Sequence, residues 1–429
     1  MNLWTEFPIH SSDEWKNKLK KDLKNNDPSS LTWEHSIGEI DPLINHNTNN
    51  NFSLNNSRIK SLSWNINKSN YTNSFVLKSL SFGINSLIFE NVPYDKSILK
   101  EVMHEIIFQH VLINHSSSKE ISNSWMNWIK NNFNKCKGSF RFDPIQLVLE
   151  NKNQNDQLNN QMNFWRSLMT DLYETNYSCV YIDGSIYGNA LANCEDEVAY
   201  IISHANEYLE QIKNNNIKCP DKLIVKIALS PQYLIEIGKV RALRFLLENV
   251  IKQHNLSIDI EIETIYNSSF YNPIDEESNI MRKTTAYMAS MISGCESIEI
   301  TDYQMKESDS YYSKNISTNI ALILKEESHL DKVHDPAKGS YYIESITKSI
   351  IDKSWNIFLS IEKEGGWIKY LENSKAQKKC EQNKKNMIEA LSKNTVNMIG
   401  FNKYSEKTLN FKKEVDVNGF NPLNLNMFA

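Results

Sequence analysis

The sequence predicts an α/β fold, a (β/α)8 TIM barrel with an N-terminal arm and a C-terminal helical extension. Three observations carry this reading. Short apolar segments recur at 84–90, 110–114, 138–142, 179–183, 223–229, 258–265, 297–301 and 340–343, which makes eight. Helical periodicity fills most of the intervals, and such alternation of strand and helix builds a parallel barrel. A doubly wound open sheet, the competing architecture, needs fewer strands and a glycine-rich phosphate loop after the first, and the sequence has no such loop.

Residues 1–57 read as an arm with an asparagine-rich linker. Trp15, Leu19 and Leu23 fall at helical spacing, followed by Leu31-Thr32-Trp33 and Asp41-Pro42-Leu43. So few apolar groups cannot fold alone, so the arm must lie on something. Two asparagine-rich stretches, 45–57 and 151–163, read as loops because neither can bury a face.

Residues 58–370 read as the barrel. After the segment at 223–229, Ser230 suits an N-cap and Pro231 a first helical position, and Val240, Leu243, Leu247 and Val250 form an apolar stripe. Met281, Thr284, Met288, Met291 and Ile292 repeat the scheme, and methionines at this spacing belong more often to a core than to a cofactor box. In the run His334-Asp335-Pro336-Ala337-Lys338-Gly339-Ser340-Tyr341-Tyr342-Ile343-Glu344, Pro336 bars helix and Gly339 permits a positive φ. The run at 340–343 then reads as the eighth strand, with Tyr341 and Tyr342 on opposite faces, and Thr347 as cap of a helix ending at Gly365-Gly366. Residues 371–429 remain as the helical extension.

Composition narrows the class. A net charge of −5 and a pI near 6.1 give no bulk attraction to nucleic acid or acidic membranes. No stretch approaches the ~18 apolar residues that span a bilayer, and residues 1–10 lack the pattern of a secretory leader. Six cysteines without a Cys-x-x-Cys pair read as reduced structural thiols, so the expected compartment is the cytoplasm.

Barrel chemistry sits at the carboxyl ends of strands. Those ends offer Glu90, Asp143, Asp183, Ser230, Glu263 and Asp302, with Asp335 in the turn before the eighth segment. Asp143-Pro144 and Asp183-Gly184 also suit plain turn caps, which is the commoner role. No His-Glu-x-x-His, glycine-lysine phosphate loop or Gly-x-Ser-x-Gly elbow occurs, so no metal ligand set or serine nucleophile is expected. Lys239, Arg241 and Arg244 read as helix-surface ion pairs.

Several strings, in order, resemble the adenosylcobalamin-dependent methylmalonyl-CoA mutase family. They are the run at 334–344, the arm from Trp15 to Leu43, Lys137-Gly138-Ser139 with Asp143-Pro144, and Tyr187-Gly188-Asn189-Ala190 with Glu197. Glu236-Ile237-Gly238-Lys239-Val240-Arg241-Ala242-Leu243-Arg244, Asn279 to Thr285 and Ile399-Gly400-Phe401-Asn402-Lys403-Tyr404 continue it. The resemblance implies a barrel and an arm that wraps a partner subunit, with Trp15, Leu19, Trp33 and Pro42 as interface candidates. Catalytic chains of the family carry Arg-Thr-His-x-Gln-Thr-Ser-Gly. Aligned through Asp275 and Arg282, this chain places Glu263 where they place the thioester-binding histidine. An ionised carboxylate there only accepts hydrogen bonds and would repel developing negative charge. The family's Thr-Pro-Gln and Arg-Tyr motifs are not seen between Arg58 and Glu90, and no Asp-x-His-x-x-Gly string supplies an axial histidine.

The resemblance therefore implies the small (beta) subunit of a heterodimeric mutase that interconverts methylmalonyl-CoA and succinyl-CoA. This chain would hold no catalytic residue, cofactor or metal, with adenosylcobalamin on the large, catalytic partner. Two alternatives stay open: a substrate-binding acyl-CoA mutase barrel served by a separate cobalamin-binding chain, and a non-enzymatic scaffold.

Overall fold

The computed structural model describes residues 11–24, 27–31, 33–35, 38–40, 58–92, 95–116, 119–132, 136–151, 155–173, 175, 177–304, 311–405, 409–411 and 419–428. Strands β1 (Trp33–His35) and β2 (Gly38–Ile40) pair as a short antiparallel hairpin in the arm. The main sheet contains β3 (Ser61–Ile66), β4 (Ser86–Glu90), β5 (Leu112–Ser116), β6 (Gly138–Arg141), β7 (Tyr177–Ser178), β8 (Val180–Asp183), β9 (Lys222–Leu229), β10 (Asp259–Tyr266) and β11 (Ser297–Glu299).

Every pairing in the main sheet is parallel, in the order β7-β6-β5-β4-β3-β11-β10-β9-β8. The two ends of that order are halves of one strand interrupted at Cys179: β7 pairs with β6 and β8 with β9. The ladder thus runs round a barrel of eight strand positions, as the sequence predicts.

Two of the eight positions differ from the reading above. The first strand is Ser61–Ile66, which sequence reading passed over. It alternates Ser61, Ser63 and Asn65 with Leu62, Trp64 and Ile66, and the apolar set is buried. Small polar residues turned into a barrel read as weak strand formers although they suit the interior. In compensation, residues 340–343 are not a strand. Ser340 is the extended N-cap of the helix Tyr341–Lys363, and Thr347 lies within that helix, its hydroxyl donating to Ile343 O at 2.7 Å. With β11 already paired to β3, no edge remains for another strand. Tyr341 is 47% exposed and Tyr342 half-buried, both in the first helical turn.

The asparagine-rich stretch at 151–163 is likewise helical where it is described: Asn151 ends the helix Pro144–Asn151, and residues from Asn155 onward lie in the helix Asn155–Leu172. Its anchors are Met162, Trp165, Leu168 and Met169, all buried, so packing overrides a polar local composition. The stretch at 45–57 lies outside the described residues.

The core lies between strands and outer helices. Trp64, Leu87, Phe89, Ile113, Phe140, Ile182, Val225, Ile227, Ile262 and Ile298 point outward from the barrel into it. A second, smaller cluster of Leu391, Phe401, Leu423, Leu425 and Phe428 gathers against Leu191 and Ile274 from loops after β8 and β10. Helices Gly366–Glu372 and Lys375–Ser392 connect the two.

Gly138 and Gly339 are glycines for different reasons. A Cβ on Gly138 would meet Ile113 O at 1.9 Å, whereas one on Gly339 meets nothing within 4 Å but must accept a φ of +82°. Gly138→Ala is expected to destabilise by several kcal/mol or to prevent folding, and Gly339→Ala to cost about 1 kcal/mol. Urea unfolding of the two variants against the wild type checks the ranking.

Candidate functional site

A parallel barrel aligns strand carboxyl ends at one mouth, and alternate residues of each strand face the axis. In the lower half many of those residues are small and polar, beside Leu112 and Ile224. Ser61 Oγ donates to Ser297 Oγ at 2.9 Å, Ser63 Oγ to Ser86 Oγ at 2.9 Å, and Asn114 Nδ2 to Ser86 Oγ at 2.8 Å. Ser139 Oγ donates to Asn114 Oδ1 at 2.7 Å and accepts from Arg141 Nε at 3.1 Å.

Arg141 then crosses the axis. Its two terminal nitrogens donate to the two carboxylate oxygens of Glu263, each at 2.7 Å, joining β6 to β10. Both side chains are almost wholly buried, 4% and 1% exposed. Burial lifts the Glu263 carboxyl and Arg141 opposes it, with Glu299 adding to the lift and Lys226 to the opposition. Burial also works against the Arg141 charge, but Glu263 outweighs it and holds the guanidinium protonated. The paired short contacts are those of an ion pair, so the carboxylate is charged.

A second crossing lies beside the first. Lys226 Nζ is 2.7 Å from Glu299 and 3.8 Å from Asp183, and Arg141 lies 5.4 Å over the Tyr181 ring. Asn65 Nδ2 adds bonds to Glu90 at 2.7 Å and Glu299 at 3.4 Å. The axis is filled by a polar plug.

The cavity of about 640 Å³ lies below the plug, with Arg141, Glu263, Ser139 and Asn114 among its lining. Lys60, Lys137, Lys218 and Lys222 line its other end, before or at the start of strands. It therefore opens at the amino ends of the strands, opposite to the end where the sequence places chemistry.

At the carboxyl ends, Asp143 and Asp183 are turn caps with further duties. Asp143 Oδ1 accepts from Gln146 N at 3.0 Å and Tyr208 OH at 2.6 Å, and His204 Nε2 lies 3.1 Å away. Burial works against the Asp143 charge, but His204 and these bonds outweigh it and hold the carboxyl below its ordinary value. Asp183 Oδ1 accepts from Ser185 N at 3.1 Å. The loops after β8 and β10 are stitched together: Asn267 Nδ2 donates to Gly188 O at 2.8 Å and Ser268 N to Asn189 Oδ1 at 2.9 Å. Leu423 N adds a bond to Ser269 Oγ at 2.8 Å, and Phe420 meets the Tyr187 ring edge-on at 5.3 Å.

Asp302 is partly exposed beyond β11, its backbone oxygen accepting from Tyr271 OH at 2.5 Å. Near it Lys283 is fully buried, bonded to Thr301 O at 2.7 Å among the rings of Tyr266, Tyr271 and Tyr287. The structure thus brings Asp183 and Glu263 together through Lys226 and Arg141, while Asp302 stands apart. Sequence reading missed Arg141 and Lys226. Their signal was a charged residue at an inward strand position, which requires a partner across the axis.

Asp335 belongs to the outer layer. It pairs with Arg241 of the helix Tyr233–Gln253, and the other Arg241 nitrogen donates to Glu344 at 2.9 Å. Lys239 binds Glu197 at 2.8 Å and Glu236 at 2.7 Å, and Arg244 binds Glu296 at 2.8 Å. These cations form ion pairs as expected, but buried between layers instead of on the helix surface. Each faces strand or helix neighbours, where an unpaired charge could not persist.

Of the arm candidates, Trp15 is 44% exposed and Leu19 half-buried on the helix Ser12–Asp22. Trp33 lies in β1, and Pro42 lies outside the described residues. The chemistry of cobalamin ligation is not matched here. In the one Asp-x-x-His string, Asp331 pairs with Lys332 and His334 lies 3.4 Å from an Arg58 nitrogen. Among the described residues no cluster of His, Cys, Asp or Glu could hold a metal, and no helix is long and apolar enough to cross a membrane.

A family model described as methylmalonyl-CoA mutase matches residues 126–424. The methylmalonyl-CoA mutase small subunit of Porphyromonas gingivalis is 29% identical over 261 residues, covering 57% of this chain and 41% of that protein. The small subunit from Propionibacterium freudenreichii subsp. shermanii is 28% identical, covering 44% of this chain and 31% of that protein. The methylmalonyl-CoA mutase of Escherichia coli is 24% identical, with 56% and 34% covered. The chain thus matches less than half the length of each of these relatives.

Removing one partner of a buried ion pair leaves the other charge uncompensated, which costs about 3–5 kcal/mol. Arg141→Met is expected to destabilise by that order. The double change Arg141→Met with Glu263→Met is expected to recover most of the loss, giving a coupling above about 2 kcal/mol in a chemical-denaturation cycle.

Proposed function

The chain belongs to the methylmalonyl-CoA mutase family, and from that premise we propose that it is the small, non-catalytic subunit of a heterodimeric mutase. The observation that carries this reading is the Arg141–Glu263 crossing. A mutase pocket needs a donor for the thioester carbonyl where charge develops. Position 263 holds an acceptor whose two oxygens are already occupied by a guanidinium. Lys226 and Glu299 fill the adjacent space, so a substrate reaching the mouth finds a neutralised plug.

Its task is then to pair with a large chain that carries adenosylcobalamin and isomerises methylmalonyl-CoA to succinyl-CoA. The cofactor would supply radical chemistry there, and the small chain contact and stability. The arm supports this. Its helix Ser12–Asp22 has a capping box through Ser11 and Glu14, yet carries Trp15 exposed. A helix this short is marginal in water, and its apolar stripe suits a docking surface.

A second reading is favoured by the lysine-ringed cavity: an acyl-CoA-binding barrel served by a separate cobalamin-binding chain. Its roof is the same ion pair, so a ligand entering from below would stop short of the carboxyl-end mouth.

Co-expression with a large mutase subunit is expected to yield a stable complex, and the isolated chain with adenosylcobalamin no turnover. Trp15→Ala is expected to weaken the complex about tenfold or more. Turnover by the isolated chain would refute the reading. For the cavity, calorimetric titration with coenzyme A distinguishes the two: saturable binding, weakened by salt and by Lys60→Ala with Lys218→Ala, is expected only for the second.

A further inference from the structure

Four elements meet where the barrel joins its C-terminal region, and they bring three carboxylates together. Glu207 and Glu210 come from the helix Cys194–Asn214, Glu362 from the last turn of Tyr341–Lys363, and His254 caps Tyr233–Gln253. Asn206 bridges two of these elements. Its Oδ1 accepts from His254 Nε2 at 2.8 Å, and its Nδ2 donates to Glu362 Oε2 at 3.2 Å. Glu362 Oε1 is buried with no hydrogen-bond partner.

Glu207 caps the fourth element. Its Oε1 accepts from Trp367 N at 2.9 Å and Ile368 N at 3.3 Å, at the start of the helix Gly366–Glu372. Trp367 is wholly buried and lies 4.9 Å from the Tyr200 ring and 5.4 Å from that of Tyr187. Tyr187 in turn meets Phe420, so this short helix anchors the C-terminal region to the loop after β8.

The neighbouring cations do not balance the cluster. Glu210 acts on His254 ahead of Lys213, His204 acts on Glu207 as the last of the influences there, and Lys369 lies against Gly365, with Nζ 3.4 Å from where a Cβ would stand. Arg166 is taken up by Asn163 and Gln211, Lys375 by Glu364, and His204 by Asp143. No cation is paired with Glu207, Glu210 or Glu362 among the described residues.

We propose that this junction is a pH-responsive latch: a proton on Glu362 lets the carboxylates pack together and holds Gly366–Glu372, and its loss loosens that helix and the C-terminal region behind it. Burial, then Glu207 and Glu210, lift the Glu362 carboxyl to about 7. Between the ordinary value of 4.5 and about 7 the folded chain binds this proton where the unfolded chain does not, so the associated stability is fully present below 4.5 and is lost as pH rises from there through about 7. The inference concerns only this chain and does not depend on the proposed partner.

Thermal unfolding of wild type and Glu362→Gln between about pH 4 and 8.5 tests the titration. The variant is expected to match the wild type at the acid end and to exceed it by about 1–3 °C at the alkaline end. Glu210→Gln, which removes one repelling charge, is expected to shift the halfway point to lower pH in the otherwise native chain. Amide exchange over 367–372, corrected for the chemical rate, tests the latch: a rise of about threefold to tenfold across the same range in the wild type and none in Glu362→Gln. Parallel pH profiles of wild type and variant overturn the proposal. So does a stability difference that grows while exchange over 367–372 stays flat.

Discussion

An ion pair spanning the diameter of a barrel is a demanding constraint. Arg141 and Glu263 sit on β6 and β10, strands that are not neighbours in the sheet, and their contact needs both strands at a fixed height and separation. In an ordinary barrel the axis is filled by branched apolar side chains. Here serines and one asparagine share the lower layers with Leu112 and Ile224 around an open cavity, and the charged layer lies above them. Desolvating these ions is unfavourable, and only mutual pairing with a complete set of hydrogen bonds offsets it.

The outer layer repeats the same solution. One helix, Tyr233–Gln253, contributes Lys239, Arg241 and Arg244, and each finds carboxylates on a different part of the chain. Arg241 takes Asp335 and Glu344 and so fixes the turn that carries Gly339. Lys239 takes Glu197, whose carboxyl burial pushes up to about 7 despite the ammonium beside it. A Cβ at Gly188 would stand 2.4 Å from Glu197 Oε1 and so push that carboxylate away from its present place. Motifs that read as a family signature are thus, in large part, the clasps holding helices to strands.

How much of this was legible depended on what each residue faces. Helices with an apolar stripe, such as the one carrying Val240, Leu243 and Leu247, and strands buried on the outward face, such as Ile182 and Val225, were plain from periodicity. Ser61–Ile66 was not, because its inward residues are serines that mimic loop composition, and 340–343 misled because tyrosine and isoleucine suit a strand as well as a helix packed at one end. Glu263 stood out as an odd residue at a telling position. Arg141 signalled itself only as a charge at an inward strand position; that Glu263 is its partner was not legible, since 122 residues separate the two and only closure of the sheet brings them together.

The fork-to-fork geometry has a further consequence. Neither member of such a pair can drift alone: replacing the acid strands a guanidinium in a dry bore, and replacing the base strands a carboxylate. A change at position 263 to a side chain that cannot take a bidentate guanidinium therefore demands a second change 122 positions upstream. The two positions are thereby locked to one another, held by the physics of ion solvation alone.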